Sequence, residues 1–241
     1  MRTFIAFSLA TLFAWVPAAV VAQAGSFDVA QLGHTVGTAR FSFVANADGY
    51  DSTSLVRVDL KGLNYALSKT EQLSAANELQ HVQLSAVVNG TAVNVTAAPD
   101  SAQMLLNVSA NGHSSTVRLD GHPAAVFLPD FDPGALETLL TLGVSHNNRD
   151  LWALIPKQSG SEAASIAAIE LATYADETGT LDGKAIAVHH LVATIAGSRT
   201  DLFSGPENQL LQAELPQAGF ALVRKGFVLT PPARAQAAPA S

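Results

Sequence analysis

Apolar and polar residues alternate along much of this chain with the period of two that sends successive side chains to opposite faces of a β-strand. The pattern is clearest around Asn89-Gly90. Asn-Gly favours a type I′ turn, because both central residues there take positive φ. A two-residue loop pairs Val88 with Thr91, Ala86 with Val93, Leu84 with Val95 and Val82 with Ala97 on one largely apolar face. On the other face Ser85 meets Asn94 and Gln83 meets Thr96. Asn111-Gly112 repeats the arrangement, with Leu106 against Val117 and Met104 against Leu119 on one side. Asn107 then meets Thr116 and Ser109 meets Ser114 on the other. Turn chemistry and period agree on the same register, and two such hairpins predict an antiparallel sheet with one wet face.

Asp48-Gly49 predicts a third hairpin between residues 36–47 and 50–60. A two-residue loop sets Phe41 against Val56 and Ala39 against Val58, but also Arg40 against Arg57. Like charges directly opposite are unfavourable, so a bulge or longer loop is the alternative register. One helix is marked. Asp132 suits the N-cap, Pro133 the first helical position, and Phe131 with Leu136 a hydrophobic staple. Leu136, Leu139 and Leu140 form its apolar stripe, and Gly143 is the expected stop. Residues 151–156, 185–196, 209–215 and 220–229 read as strands. Residues 161–175 carry helix-favouring Ala and Glu, but Ile169, Leu171 and Thr173 alternate with Glu170 and Ala172, which favours a strand.

The fold class that follows is mainly β: an antiparallel, strongly curved sheet or half-barrel built from hairpins, with one short capped α-helix. A single domain is expected over 25–229, with a Pro- and Ala-rich tail at 230–241 expected to be disordered. No repeat with a 20–50-residue period is evident. Residues 1–24 read as a signal peptide. Arg2 is followed by an uncharged, mostly apolar stretch over residues 4–21 and by Ala22-Gln23-Ala24. Cleavage after Ala24 fits this best, with cleavage after Ala22 second, and a periplasmic or secreted location follows. An uncleaved anchor is the competing reading, but Pro17 and the small-x-small site oppose it. No later apolar run is long enough to span a membrane, so no transmembrane segment is expected after signal cleavage.

Of the 241 residues, 13 are Lys or Arg and 20 are Asp or Glu, giving a net charge of -7. No basic run occurs, which argues against nucleic acid and anionic lipid surfaces as partners. The absence of cysteine excludes disulfides, thiolate catalysis, Cys-ligated zinc and iron–sulfur clusters. No phosphate loop, dinucleotide fingerprint, zinc-protease helix or serine elbow appears, so neither cofactor nor metal is expected. His189 and His190 are adjacent in a strand and point to opposite faces, so they cannot chelate one metal together. One of them facing inward could act as a general base, or simply be a hydrogen-bonded core histidine. Asp130 with Asp132 could mark a cation site, against the simpler reading of a loop ending in a helix cap. Asn89, Asn94 and Asn107 head sequences that match the glycosylation acceptor, for which chance is the better account.

Gly33-His-Thr-Val-Gly37 between two strands, Leu215-Pro216 and the return through Val223-Arg224 resemble parts of a class of exported bacterial β-domains of unknown function. The order of elements is also broadly similar to periplasmic lipoprotein carriers, with a curved sheet closed by helices. The resemblance implies architecture and transfers no functional residue. The leading expectation is a non-catalytic binding or carrier module for an apolar ligand, with Leu136, Leu139, Leu140, Phe41 and Phe43 lining a cavity. The bland alternative for those residues is a dry core. A structural or protein-interaction domain of the cell envelope is the alternative function. A hydrolase built around His189 or His190 stands third.

Overall fold

The computed structural model describes residues 22–156 and 164–230. The C-terminal tail from 231 and the leader up to residue 21 lie outside the described residues. The chain opens with eight strands joined as a meander: β1 (Ala22–Gln31), β2 (His34–Ala45), β3 (Gly49–Leu60), β4 (Leu63–Ser74), β5 (Leu79–Val88), β6 (Thr91–Asp100), β7 (Gln103–Ala110) and β8 (His113–Asp120). A short β9 (Ala125–Phe127) leads into helix α1 (Pro133–Ser145). Eight more strands follow: β10 (Leu151–Pro156), β11 (Ala164–Thr173), β12 (Glu177–Leu181), β13 (Lys184–Ile195), β14 (Ser198–Ser204), β15 (Leu210–Leu215), β16 (Phe220–Arg224) and β17 (Phe227–Leu229).

The pairings give one open, mostly antiparallel sheet. From β8 the order descends through the meander to β1 and continues through β16, β15, β14, β13, β11 and β10 to β9. Among the described strands only the β9–β10 pair is parallel. β1 joins the halves, with β2 on one side and β16 on the other. The sheet curls round α1, which packs against β2, β3, β9, β10 and β15. Leu136, Leu139, Leu140 and Leu142 share one continuous core with the inward side chains of both halves. A smaller second core of Val188, Phe203, Leu211 and Phe227 lies where β12, paired with β17, also pairs with the first half of β13.

Both Asn-Gly hairpins have the registers that their alternation dictates. Asn89 and Gly90 stand at φ 49° and 83°, Asn111 and Gly112 at 52° and 74°, as a type I′ turn requires. In the Asp48-Gly49 hairpin, Ala45 pairs with Tyr50 across a longer loop, and the register moves by two. A shift of two keeps every side chain on its face, and it separates the arginines: Arg40 lies opposite Leu55 and Arg57 opposite Thr38. Gly37 is needed at its place because any Cβ there would run into the Arg57 carbonyl. Residues 164–173 form a strand, and the segment read as 220–229 is two strands broken at Lys225-Gly226.

The helix starts as its sequence requires: Asp132 Oδ1 accepts from the Gly134 and Ala135 amides at 2.9 and 3.3 Å. It does not stop at Gly143, which lies inside the helix. A Cβ on Gly143 would come within 2.9 Å of Leu171 and Asn148, so this glycine gives room for close packing. The helix ends instead at His146, followed by Asn147 and Asn148 at positive φ.

Candidate functional site

The interior is where an apolar carrier would hold its ligand. Phe41, Phe43, Leu136, Leu139 and Leu140 are all buried in the main core. The Phe41 ring lies 6.1 Å from Phe27 and 5.3 Å from Phe43, centre to centre. No residue of α1 lines any of the three cavities described for this structure. The helix leucines pack on protein in that core, while Phe41 also borders a recess of about 390 Å³ beside β1 to β3.

Under the helix N-terminus the core contains a set of charges. Lys69 and Glu71 occupy inward positions of β4, where the alternation Tyr65, Leu67, Lys69, Glu71, Leu73 runs unbroken. Lys69 Nζ lies 2.9 Å from Glu71 Oε2 and 2.7 Å from Asp132 Oδ2, and all three side chains are essentially sealed from solvent. Burial works against the Lys69 ammonium, but the two carboxylates outweigh it and hold the group above the usual lysine range. Burial pushes Glu71 up, against the pull of Lys69. Ser54 and Ser52, directly opposite Lys69 and Glu71 on β3, bury hydroxyls without a hydrogen-bond partner. Through these two ion pairs the cluster ties the helix N-terminus to the sheet. Asp132 is thus both cap and ion-pair partner. Asp130 is exposed and contributes its carbonyl, which accepts from Tyr65 at 3.1 Å. Among the described residues no group of three or more His, Asp or Glu could hold a metal ion.

A second buried acid fixes the middle of the helix. Glu137 accepts from the Leu210 amide at 2.7 Å and from the Gln23 side chain. Burial raises its carboxyl to about 7, with the Leu210 amide and Arg224 acting in the opposite direction. Arg224 in turn donates to the carbonyls of Leu210 and Ala24.

The two histidines do point to opposite faces of β13. His189 Nδ1 lies 3.0 Å from Asp176 near the surface. His190 Nε2 lies 2.9 Å from Asp201 and Nδ1 3.3 Å from Glu177, with its ring stacked on Phe203. Asp201 also accepts from Arg199 Nε at 2.8 Å, and that guanidinium holds the carboxyl below the usual range. Each histidine therefore has a carboxylate, as an acid–base group would need. Among the described residues neither has a hydroxyl within hydrogen-bond reach, and neither lines a described cavity. Through Glu177 and Asp201 the arrangement fixes β12 and β14 to β13.

The largest of the described cavities, about 750 Å³, lies on the outer face of the sheet across β1 to β6. Two adjacent cross-strand rows form its floor. One runs Ser26, Arg40, Leu55, Ser68, Ser85, Asn94. The other runs Thr38, Arg57, Ala66, Val87, Ala92. Twist makes such a face a saddle, and the small residues in both rows deepen it. Leu55 and Val87, each 39% exposed, are the large apolar side chains of this face. The recess of about 390 Å³ shares Ser26, Arg40 and Leu55 with the groove and extends it along β1 to β3. Sequence reasoning assigned these outward positions to a wet face and attached no site to them. The two-row arrangement becomes visible only once the registers of five strand pairs are combined. Asn94 lies within the groove, while Asn89 ties its turn to the neighbouring one by accepting from the Asn64 amide at 2.7 Å. No protein-family model, curated protein or solved structure matches this chain, so its function has to be read from this geometry.

Proposed function

We propose that this chain is a non-catalytic binding module whose ligand lies in the outer groove across β1 to β6. The observation that carries this reading is the groove itself. It is of the size that holds small-molecule ligands, and it presents Leu55, Ala66, Val87 and Ala92 beside hydroxyls. The packing of Leu136, Leu139 and Leu140 against the sheet favours this outer location over an interior one. Export through the N-terminal leader belongs to the same proposal, which puts the module outside the cytoplasm.

Titration with the neutral dye Nile red tests the reading. Wild type takes up the dye, Val87→Glu lowers its affinity at least tenfold, and Leu140→Ala leaves uptake in the groove unchanged. Uptake that responds to Leu140→Ala and ignores Val87→Glu assigns the ligand to the interior and overturns the proposal.

A protein-interaction domain is the second reading, and a different observation favours it. β8 is hydrogen-bonded through β7 alone among the described strands, and almost all of its residues are exposed. An edge of this kind accepts an added strand. Hydrogen exchange over His113–Asp120 tests it: the amides facing away from β7 exchange freely in the isolated protein and become protected in a native complex.

A further inference from the structure

The groove carries more positive charge than it compensates. This chain is acidic overall, yet Arg40, Arg57 and Lys225 line the groove and no Asp or Glu does. The three sit at one end. Arg40 is opposite Ser26, Arg57 is opposite Thr38, and the Lys225 amide donates to the Ser26 carbonyl at 2.9 Å. Lys225 has Asp28 at 3.8 Å, while Arg40 and Arg57 have no ion-pair partner among the described residues. Like charges on neighbouring positions of a sheet face repel; Asp28, opposite Thr38, offsets Lys225, and no carboxylate pairs with either arginine among the described residues. The other end, over β4 to β6, holds Ala66, Val87 and Ala92 with Ser68, Ser85 and Asn94.

We propose that the ligand is a single-chain amphiphile with an anionic head, a carboxylate or phosphate monoester, seated on Arg40, Arg57 and Lys225 with its tail over Ala66, Val87 and Ala92. The inference rests on the groove reading above and adds the ligand's polarity and direction. Guanidinium groups offer paired donors that match the two oxygens of a carboxylate or phosphate, so each arginine can grip a head group in a fixed orientation. Three cations in a recess suit one head group. A membrane surface is met by wider basic patches reinforced by an apolar helix face or a lipid anchor, which these strands do not present.

The test is calorimetric titration of the full chain with dodecanoate, dodecyl phosphate and dodecanol below their micelle concentrations, with inorganic phosphate and with phosphatidylglycerol vesicles. Dodecanoate and dodecyl phosphate bind at least tenfold more tightly than dodecanol. The double variant Arg40→Gln/Arg57→Gln removes that preference without weakening dodecanol, and Val87→Glu weakens all three. Both arginines are exposed, so unchanged unfolding midpoints are expected for the double variant. If dodecanol equals dodecanoate while Val87→Glu still weakens both, the groove reading stands and the anionic head is refuted. If no amphiphile binds, the groove reading itself fails. Phosphate binding as tightly as dodecyl phosphate, or binding to vesicles alone, overturns the amphiphile.

Discussion

Replacing Lys69 with Met tests how the buried charges hold the helix. Met fills a similar volume, so little packing is lost, but the ammonium disappears from between two carboxylates 2.9 and 2.7 Å away. Glu71 and Asp132 are then left in the core without a countercharge. Removing one partner of a buried ion pair typically costs about 3–5 kcal/mol, against a total stability of roughly 5–15 kcal/mol for a domain. The cost has a signature in pH. A carboxylate stranded in a core binds its proton more tightly folded than unfolded, so its folded pKa rises. The deficit is then small below the unfolded carboxylate values, near pH 4, and grows as pH rises toward the folded ones. Urea unfolding of wild type and Lys69→Met at pH 5 and pH 8 measures both effects. The triple variant Lys69→Met/Glu71→Leu/Asp132→Asn keeps a competent N-cap, leaves no charge buried, and should recover most of the loss. A Lys69→Met deficit below about 1 kcal/mol at pH 8, or one that does not change with pH, refutes the reasoning.

Gly90→Val and Gly112→Val should each cost about 1–3 kcal/mol in denaturant unfolding, entirely through backbone strain, because no atom lies near enough to clash with the added Cβ. Unchanged midpoints would contradict the turn assignment. Glu137 has a folded pKa raised from 4.5 to about 7, so its contribution to stability falls as pH rises between those values. Glu137→Gln should therefore gain on wild type across that window, by up to roughly 3 kcal/mol, and a pH-independent difference would count against the raised value. Leu140→Ala, at a buried core position that lines none of the described cavities, should lose about 2–5 kcal/mol in thermal or urea unfolding. Processing of exported protein is expected after Ala22: cleavage after Ala24 would remove both the Gln23 side chain bonded to Glu137 and the Ala24 carbonyl that accepts from Arg224. N-terminal sequencing decides between Gln23 and Gly25.

The two Asn-Gly hairpins were legible because local turn chemistry and strand period each specify the register, and nothing distant competes. β4 escaped the same reading because its inward face carries Lys69 and Glu71. Charges on the apolar side hide the alternation until Asp132, 63 positions beyond Lys69 in the chain, supplies their partner. Ala196-Gly197 was missed because its first residue is neither Asn nor Asp: both residues take positive φ, and only the glycine signals this in advance. Asp182-Gly183 carries the same signal as Asp48-Gly49, but no clear alternation flanks it on the short β12 side. Gly143 misled for a related reason: absence of a side chain serves close packing as well as helix termination, and the sequence around it is the same in both cases. The groove was not legible, since it is a property of rows that cross six strands.

The position of β1 has a consequence for how the sheet is assembled. A chain delivered from its N-terminus can lay down β1 to β8 as successive hairpins, each closing on the one before, with short loops and little entropy to overcome. The outer edge of β1 waits. Its partner β16 is the last but one of the strands to arrive, and the Arg224 side chain reaches back 200 positions to the Ala24 carbonyl. During that interval the half-made sheet exposes backbone along both β1 and β8, so shielding of nascent chains matters most then. A chain ending before residue 220 keeps a complete meander but never covers β1, and such fragments should aggregate through that strand.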